Sequence, residues 1–446
     1  MTKADSNDQT VAEYRIDAGW VLTVDAENQV YTDHSLVIGG GRILDSLPID
    51  EAAKNFSHLP VVDRRNHIIM PGLVNAHMHM PMNLLRGLGS DQPLMTWLQD
   101  YMWPAEAAHV GPEFVRDGTQ LAIAESLLSG VTTVNDMYFF PQDSAEACQQ
   151  AGIRAVIGLA IINVPTAWAS SVDEYFDKGL AVYETFCDDP LVQTAMAPHA
   201  PYTVNIDALE KVKAFSAEHN LKIHMHVHET AVEVEDYVKQ HGVRPIAMLH
   251  KIGLLSPSLL AVHLTQMIDE EISLLADTGV HVLHCPESNL KLASGFCPVS
   301  KLADQGVNIA IGTDGAASNN DLDLLGETRT AALVAKAVSA DAASIPATAA
   351  LRMATINGAR ALGLGEVTGS LEVGKSADIT CIEPDVSMVP MYDVVAQVIY
   401  ATNRERVSDV WVAGRQLLEN RRLLTLDAER LIKVAAEWQE RIQAAV

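Results

Sequence analysis

Pro71-Gly72-Leu73-Val74-Asn75-Ala76-His77-Met78-His79 reads as a buried parallel strand, apolar at Leu73, Val74 and Ala76, that ends in two histidines. Side chains alternate along a strand, so His77 and His79 share one face. Two imidazoles at that spacing can hold one metal ion, since neutral imidazole is the commonest metal ligand in proteins. Taken alone, the pair is equally well a polar strand end satisfied by water or backbone. The chain on either side decides between the two.

Upstream, residues 12–70 run in short apolar bursts at 19–24, 35–38 and 42–44, with turn residues between them. Gly39-Gly40-Gly41 reads as a hairpin turn, because no helical pattern follows that would make it a phosphate-binding loop. Downstream the pattern changes. β-rich runs at 131–134, 155–159, 193–196, 223–226, 259–262, 280–283 and 308–311 alternate with helix-like segments such as 118–129 and 206–219. Such strand–helix units over roughly 300 residues fit a (β/α)8 barrel, whose function gathers at the C-terminal strand ends. After Gly369 short strand-like runs return at 377–382, 394–400 and 407–412, followed by a turn at Ala413-Gly414 and a closing amphipathic helix over 427–445. The expected fold is therefore α/β. A barrel of residues 71–369 is inserted into a small β-sandwich domain made of residues 1–70 and 370–446.

Composition narrows the function. With 48% hydrophobic and 20% charged residues over 446 positions, the chain can bury a large core. A formal net charge of −26 argues against a nucleic-acid or anionic-membrane partner. The cysteines Cys148, Cys187, Cys285, Cys297 and Cys381 are scattered and form no C-x-x-C pair, which suits a reduced, cytoplasmic protein. Met1 to Ser6 carry no apolar leader, and no apolar run approaches bilayer length. Apolar exterior helices fit a homodimer or tetramer.

Other expected strands also end in groups that can bind metal. In Ile223-His224-Met225-His226-Val227-His228-Glu229 three histidines share one face; His226 is taken as the ligand because Glu229, a candidate acid/base, follows it closely. His263 ends 260–263, and a lone histidine there is as readily structural. Asp314 ends 309–314, where a carboxylate is costly unless paired or metal-bound. Histidines and an aspartate capping different strands suit zinc or another borderline divalent ion, with one position open for water.

At this point the chain resembles the amidohydrolase superfamily. More narrowly, six motifs resemble the 5'-methylthioadenosine/S-adenosylhomocysteine deaminases, related to triazine hydrolases and guanine deaminase. They are the 71–79 stretch, Trp103-Pro104-Ala105-Glu106, Ala197-Pro198-His199-Ala200-Pro201-Tyr202, His226-Val227-His228-Glu229-Thr230, His284-Cys285-Pro286-x-Ser288-Asn289 and Gly312-Thr313-Asp314-Gly315. The resemblance implies one zinc per chain, or another divalent ion, held by His77, His79, His226 and Asp314. It implies that Asp314 also deprotonates the attacking water, His263 orients that water, and Glu229 carries the proton to the purine ring and then towards leaving ammonia. Glu106 corresponds to the reader of the ribose hydroxyls and His199 to a second substrate-contacting histidine.

Three absences refine the reading. The strand over 193–199 has no lysine of the kind that bridges two metals in binuclear members, which favours a single ion. The H-x-E and P-C-x-x-C signature of the cytidine-type zinc deaminases is missing. Residues 155–175 hold neither arginine nor lysine to pair with an amino-acid carboxylate, and offer Ile161, Ile162, Val164, Pro165 and Trp168 instead. An apolar wall with Trp168 suits a methylthio group, so the expected substrate is an adenosine thioether, 5'-methylthioadenosine, ahead of adenosine and S-adenosylhomocysteine. A hydrolase of s-triazines or other aminopurines, and a non-catalytic barrel scaffold, are the alternatives.

Overall fold

The computed structural model describes residues 11–444, and two eight-stranded sheets organise it. The first is mixed and drawn from both chain ends. Strand Val61–Pro71 sits at its centre, parallel to Tyr14–Leu22 on one side and antiparallel to Ile379–Ile382 on the other. The sheet continues through Val30–Gly39 and Arg42–Pro48 at one edge, and through Val407–Val412, Arg415–Glu419 and Arg422–Leu423 at the other. The triple glycine is the expected hairpin: Gly39 pairs with Arg42, and Gly40 and Gly41 take φ of +56° and +75°, which favour glycine.

Gly72 hands the chain from this sheet to the barrel. Its N–H donates to the Asp378 carbonyl (2.9 Å), and a Cβ there would lie 2.1 Å from Thr132 Oγ1, so only glycine fits the crossing. The second sheet is all parallel, in sequence order: Leu73–Met78, Val131–Tyr138, Arg154–Ile161, Val192–Pro198, Ile223–Val227, Leu259–His263, His281–His284 and Ile309–Ile311. These strands are buried almost throughout, as parallel strands covered by helices must be. Small side chains such as Ala76, Ala195 and Ala310 fill the barrel axis together with Val74, Leu260 and Leu283. The first and eighth strands meet where the Asp314 N–H donates to the His77 carbonyl (3.0 Å).

Two elements depart from expectation. The helix after the first strand starts at Pro112 and runs to Leu128, ahead of the expected 118. Residues 394–400, read as a strand, are the helix Val394–Tyr400. The Asp393 carboxylate caps it by accepting from the Ala396 N–H (3.0 Å). Val394, Val395, Val398 and Ile399 bury one face at helical spacing, which overrides their β-branched preference. The closing helix is Ala428–Gln443; Ala445, like the Met1–Ser6 stretch read for a leader, lies outside the described residues. Among the described residues, all five cysteines are free and no helix is long and apolar enough to cross a membrane.

A buried ion pair fixes the sheet of the chain ends to the barrel. Arg154, opening the third barrel strand, donates from Nε to Asp378 Oδ2 (2.8 Å) and from a terminal nitrogen to Asp378 Oδ1 (3.2 Å). Asp378 also accepts from the Ala413 N–H (2.7 Å) and Ser376 Oγ (2.7 Å). Arg154→Ala would strand that carboxylate, so unfolding in urea should show a loss of about 3–5 kcal/mol. The double change Arg154→Met with Asp378→Leu should recover a large part of it, because it removes the charge as well as its partner.

Candidate metal centre and active site

The C-terminal strand ends bring the expected ligands together. One donor atom from each of His77, His79 and His226 lies within 4.8 Å of the others, as do those of His77, His263 and Asp314. Asp314 Oδ1 is 3.3 Å from His77 Nε2 and 3.2 Å from His79 Nε2. Tetrahedral bonds of ~2.0–2.1 Å put neighbouring ligand atoms about 3.3 Å apart, so this spacing fits one ion.

The imidazoles are held with their Nε2 atoms inward. His79 Nδ1 is 2.6 Å from the Met137 carbonyl and His226 Nδ1 is 2.8 Å from the His199 carbonyl, so each Nδ1 carries a proton and each Nε2 is turned inward; against the effect of burial, the facing Asp314 carboxylate raises His79 to about 9. His77 Nδ1 lies 2.7 Å from His224 Nε2, deeper in the barrel. His77 Nε2 is buried without an aligned hydrogen bond. An unpartnered ring nitrogen facing a carboxylate oxygen is what a cation would satisfy. Burial pushes His77 down to about 4 and His226 well below the ordinary histidine range, which keeps both neutral. Burial works against the charge of Asp314, but the close approach of the His77 and His79 rings more than offsets it and holds the carboxyl well below its usual range. Its Oδ2 also accepts from Ser288 Oγ (2.6 Å) and Ser318 Oγ (3.0 Å).

Backbone geometry sorts the three histidines of the fifth strand. His224 lies below the ligands and His226 among them. The strand then ends at Val227, and His228 takes φ +54°, which turns it out of the alternation towards Glu271 (Nδ1 to Oε2, 3.7 Å). His263 also has a left-handed φ, +75°. That turn sets its Nε2 3.8 Å from Glu229 Oε2, while Nδ1 lies 2.9 Å from Asn289 Oδ1. Strained φ at His228, His263 and Asp314 (+61°) falls where function would need it.

Glu229 is buried beside His263, and burial raises its carboxyl above the ordinary value. Its N–H donates to Glu233 Oε2 (2.7 Å) and its carbonyl accepts from Thr265 Oγ1 (2.7 Å), so the backbone that carries it is gripped from both sides. Glu233 belongs to a capping box with Thr230 that opens the helix Ala231–His241. Glu106, on the short helix Trp103–His109, accepts from the Tyr138 hydroxyl (2.6 Å) through Oε1. His199 Nδ1 rests on Thr203 Oγ1 (2.8 Å), and its ring centroid is 5.0 Å from that of His226. Trp168 is 7% exposed and packs its ring 5.4 Å from Tyr175, and the exposed apolar side chains of its loop include Val164 (52%). Lys178, from the helix Val172–Phe186, reaches back to the Trp168 carbonyl while paired with Glu174 (2.8 Å).

Several participants are missed by the sequence reading: the Met137 and His199 carbonyls, His224, Tyr138, and Ser318. Ser288 and Asn289 stand in a quoted motif without a role. The Thr230-x-x-Glu233 pattern was open to reading as a capping box.

Imidazoles and a carboxylate converging at the C-terminal mouth of a (β/α)8 barrel define the metal-dependent hydrolases of this architecture. The amidohydrolase family profile matches residues 68–417. A 5-methylthioadenosine/S-adenosylhomocysteine deaminase of Teredinibacter turnerae is 46% identical over 98% of this chain and 99% of its own. An adenosine deaminase from Xanthomonas campestris, solved with bound zinc, superposes with a TM-score of 0.95 at 49% identity, covering 97% of this chain and 99% of that one. Atrazine chlorohydrolase from Arthrobacter aurescens, solved with zinc, gives 0.89 at 26% identity, over 96% and 100%. The chain belongs to the amidohydrolase family, in the branch of the 5'-methylthioadenosine/S-adenosylhomocysteine deaminases.

His224→Phe should lower zinc affinity about 10–100-fold, measured by competition with a chromogenic chelator, because it removes the group that orients His77. His226→Ala should abolish stoichiometric zinc by elemental analysis.

Proposed function

We propose that this protein is a zinc-dependent deaminase that converts 5'-methylthioadenosine to 5'-methylthioinosine and ammonia, with adenosine and S-adenosylhomocysteine as poorer substrates. The observation that carries the reading is the pairing of the His77–His79–His226–Asp314 cluster with a buried Glu229, 3.8 Å from His263, whose carboxyl burial raises above its ordinary value. The sequence identity to nucleoside deaminases, well above that to the triazine enzyme, supports the purine class.

His77, His79, His226 and Asp314 would hold one zinc. When bound it lowers the pKa of a coordinated water from 15.7 towards about 7, supplying the nucleophile at neutral pH. The residues do the rest. Asp314 takes the proton of the attacking water, and His263, fixed by Asn289, orients that water through Nε2. Glu229 gives its proton to the purine ring nitrogen N1 as C6 is attacked, takes up the proton of the added hydroxyl, and passes it to the amino group as the C6–N bond breaks and the C6 carbonyl forms; the water proton held by Asp314 then restores the acid form of Glu229. Glu106 accepts from the ribose hydroxyls through the oxygen that Tyr138 leaves free. His199, neutral because burial lowers it to about 4, can donate or accept through Nε2.

The substrate order rests on the loop after the third strand. Val164 offers it an apolar surface, and the charge of Lys178 is already committed to Glu174. A zwitterionic amino-acid tail would be left poorly paired there. The free cysteines support a cytoplasmic setting. Exposed Leu333 and Val338 on the helix Leu324–Ser339 support a homodimer or tetramer. We further assign residues 71–369 to catalysis and residues 1–70 with 370–446 to a composite supporting domain.

Ammonia release should follow the order 5'-methylthioadenosine, adenosine, S-adenosylhomocysteine in kcat/KM. A mispairing penalty of ~3 kcal/mol separates first from last by about a hundredfold. Equal or better use of S-adenosylhomocysteine would refute the loop argument, and release from an aminotriazine but from no adenosine would refute the purine reading. Glu229→Gln should keep its zinc and lose about 10²–10⁴-fold in kcat, since the amide preserves shape without carrying a proton.

A further inference from the structure

The helix that carries Glu106 spans only Trp103–His109, its N-cap makes no side-chain hydrogen bond, and a π-turn, Leu98–Met102, leads into it. A helix this short does not hold its own position, so packing must. The far end of the chain supplies part of that packing. Trp438, on the closing helix Ala428–Gln443, is 6% exposed. Its ring stands edge to face on Phe114 (5.3 Å, 86°) and on His109 (6.4 Å, 83°), one turn beyond Glu106. Its indole N–H donates to Asp117 Oδ2 (2.9 Å), a buried pairing that fixes the ring's orientation. Trp438 shares one apolar cluster with Met102 and Ala105, which flank the helix start, and with Tyr138, the donor to Glu106.

We propose that Trp438 is a positioning residue for the Glu106–Tyr138 pair, so that the C-terminal helix sets the affinity of the ribose end of the substrate pocket. The claim rests on the assignment of Glu106 to the ribose hydroxyls. Removing the indole leaves a cavity beside His109 and Phe114, in the cluster that also holds Met102 and Ala105. Glu106 then moves relative to the sugar, while the metal ligands, on other strands, stay where they are.

The test compares 5'-methylthioadenosine with its 2',3'-dideoxy analogue in the full-length zinc enzyme. Trp438→Ala should raise KM for the first about tenfold, leave kcat within about threefold and leave zinc content unchanged. KM for the dideoxy analogue should not change, because that compound makes no contact Glu106 could lose. If Trp438→Ala does not fold, Trp438→Phe, which keeps the apolar contact and removes the N–H donor, is read in the same way with a smaller rise expected. Unchanged KM for both substrates, or an equal rise for both, overturns the proposal. Glu106→Gln separates the two claims. If it raises KM for the ribose substrate while the Trp438 variants do not, positioning is wrong and the ribose reading stands. If it has no effect, the ribose reading is at fault and the positioning claim falls with it.

Discussion

One backbone hydrogen bond, from the Asp314 N–H to the His77 carbonyl, joins barrel closure to the metal centre. The first and eighth strands meet there, and the same two residues put a carboxylate oxygen and an imidazole nitrogen 3.3 Å apart. The contact needs close backbone approach. A Cβ on Gly312 would stand 2.7 Å from the His77 nitrogen and 2.9 Å from its oxygen, so a side chain there would push the seam open. A change that loosens the seam therefore loosens the ligand set as well.

The second level of organisation is orientation. A metal-binding imidazole needs its other nitrogen occupied: Met137 for His79 and His199 for His226 come from a neighbouring strand or its end, while His224 reaches His77 from the fifth strand, across the barrel. Strand pairing thus fixes the ring angles of His79 and His226, and barrel closure that of His77. The loop bearing Glu229 is held by a different device, the Glu233 carboxylate receiving the N–H groups of His228 (3.2 Å) and Glu229 (2.7 Å). That grip keeps the acid still while the strained φ of His228 turns the chain away from the barrel axis.

Which parts of this were legible in the sequence follows from which interactions are local. Strand alternation placed His77 and His79 on one face, and the order of polar strand ends yielded the ligand candidates, because both depend on periodicity alone. Choosing among His224, His226 and His228 depended on where the strand stops, a matter of one φ angle that periodicity does not encode. Backbone carbonyl partners leave no trace in residue type, so Met137 and His199 as orienting groups were invisible. Val394–Tyr400 is a helix despite its β-branched composition because an Asp cap and an i, i+1, i+4, i+5 apolar pattern favour one buried helical face, and packing follows the pattern. The packing of the Trp168 ring on Tyr175 was not legible either, because that partner lies on the following helix and no periodicity links the two.

The deepest constraint on the chemistry is that two buried carboxylates a few ångströms from the same histidine must differ in charge. Asp314 is ringed by His77, His79 and the Ser288 and Ser318 hydroxyls, all of which favour the anion over the cost of burial. Among the described residues Glu229 has no side-chain donor closer than the 3.8 Å approach of His263, so burial dominates, and the negative charge of Asp314 pushes in the same direction. Their proton affinities are therefore driven apart, the arrangement by which one site holds a base and an acid at the same pH. Hydrolysis of an aminopurine needs that division of labour, with a base at the attacking water and an acid at the ring nitrogen. On the proposed mechanism, exchanging the environments, for instance by giving Glu229 a hydroxyl donor, would leave two bases and no acid.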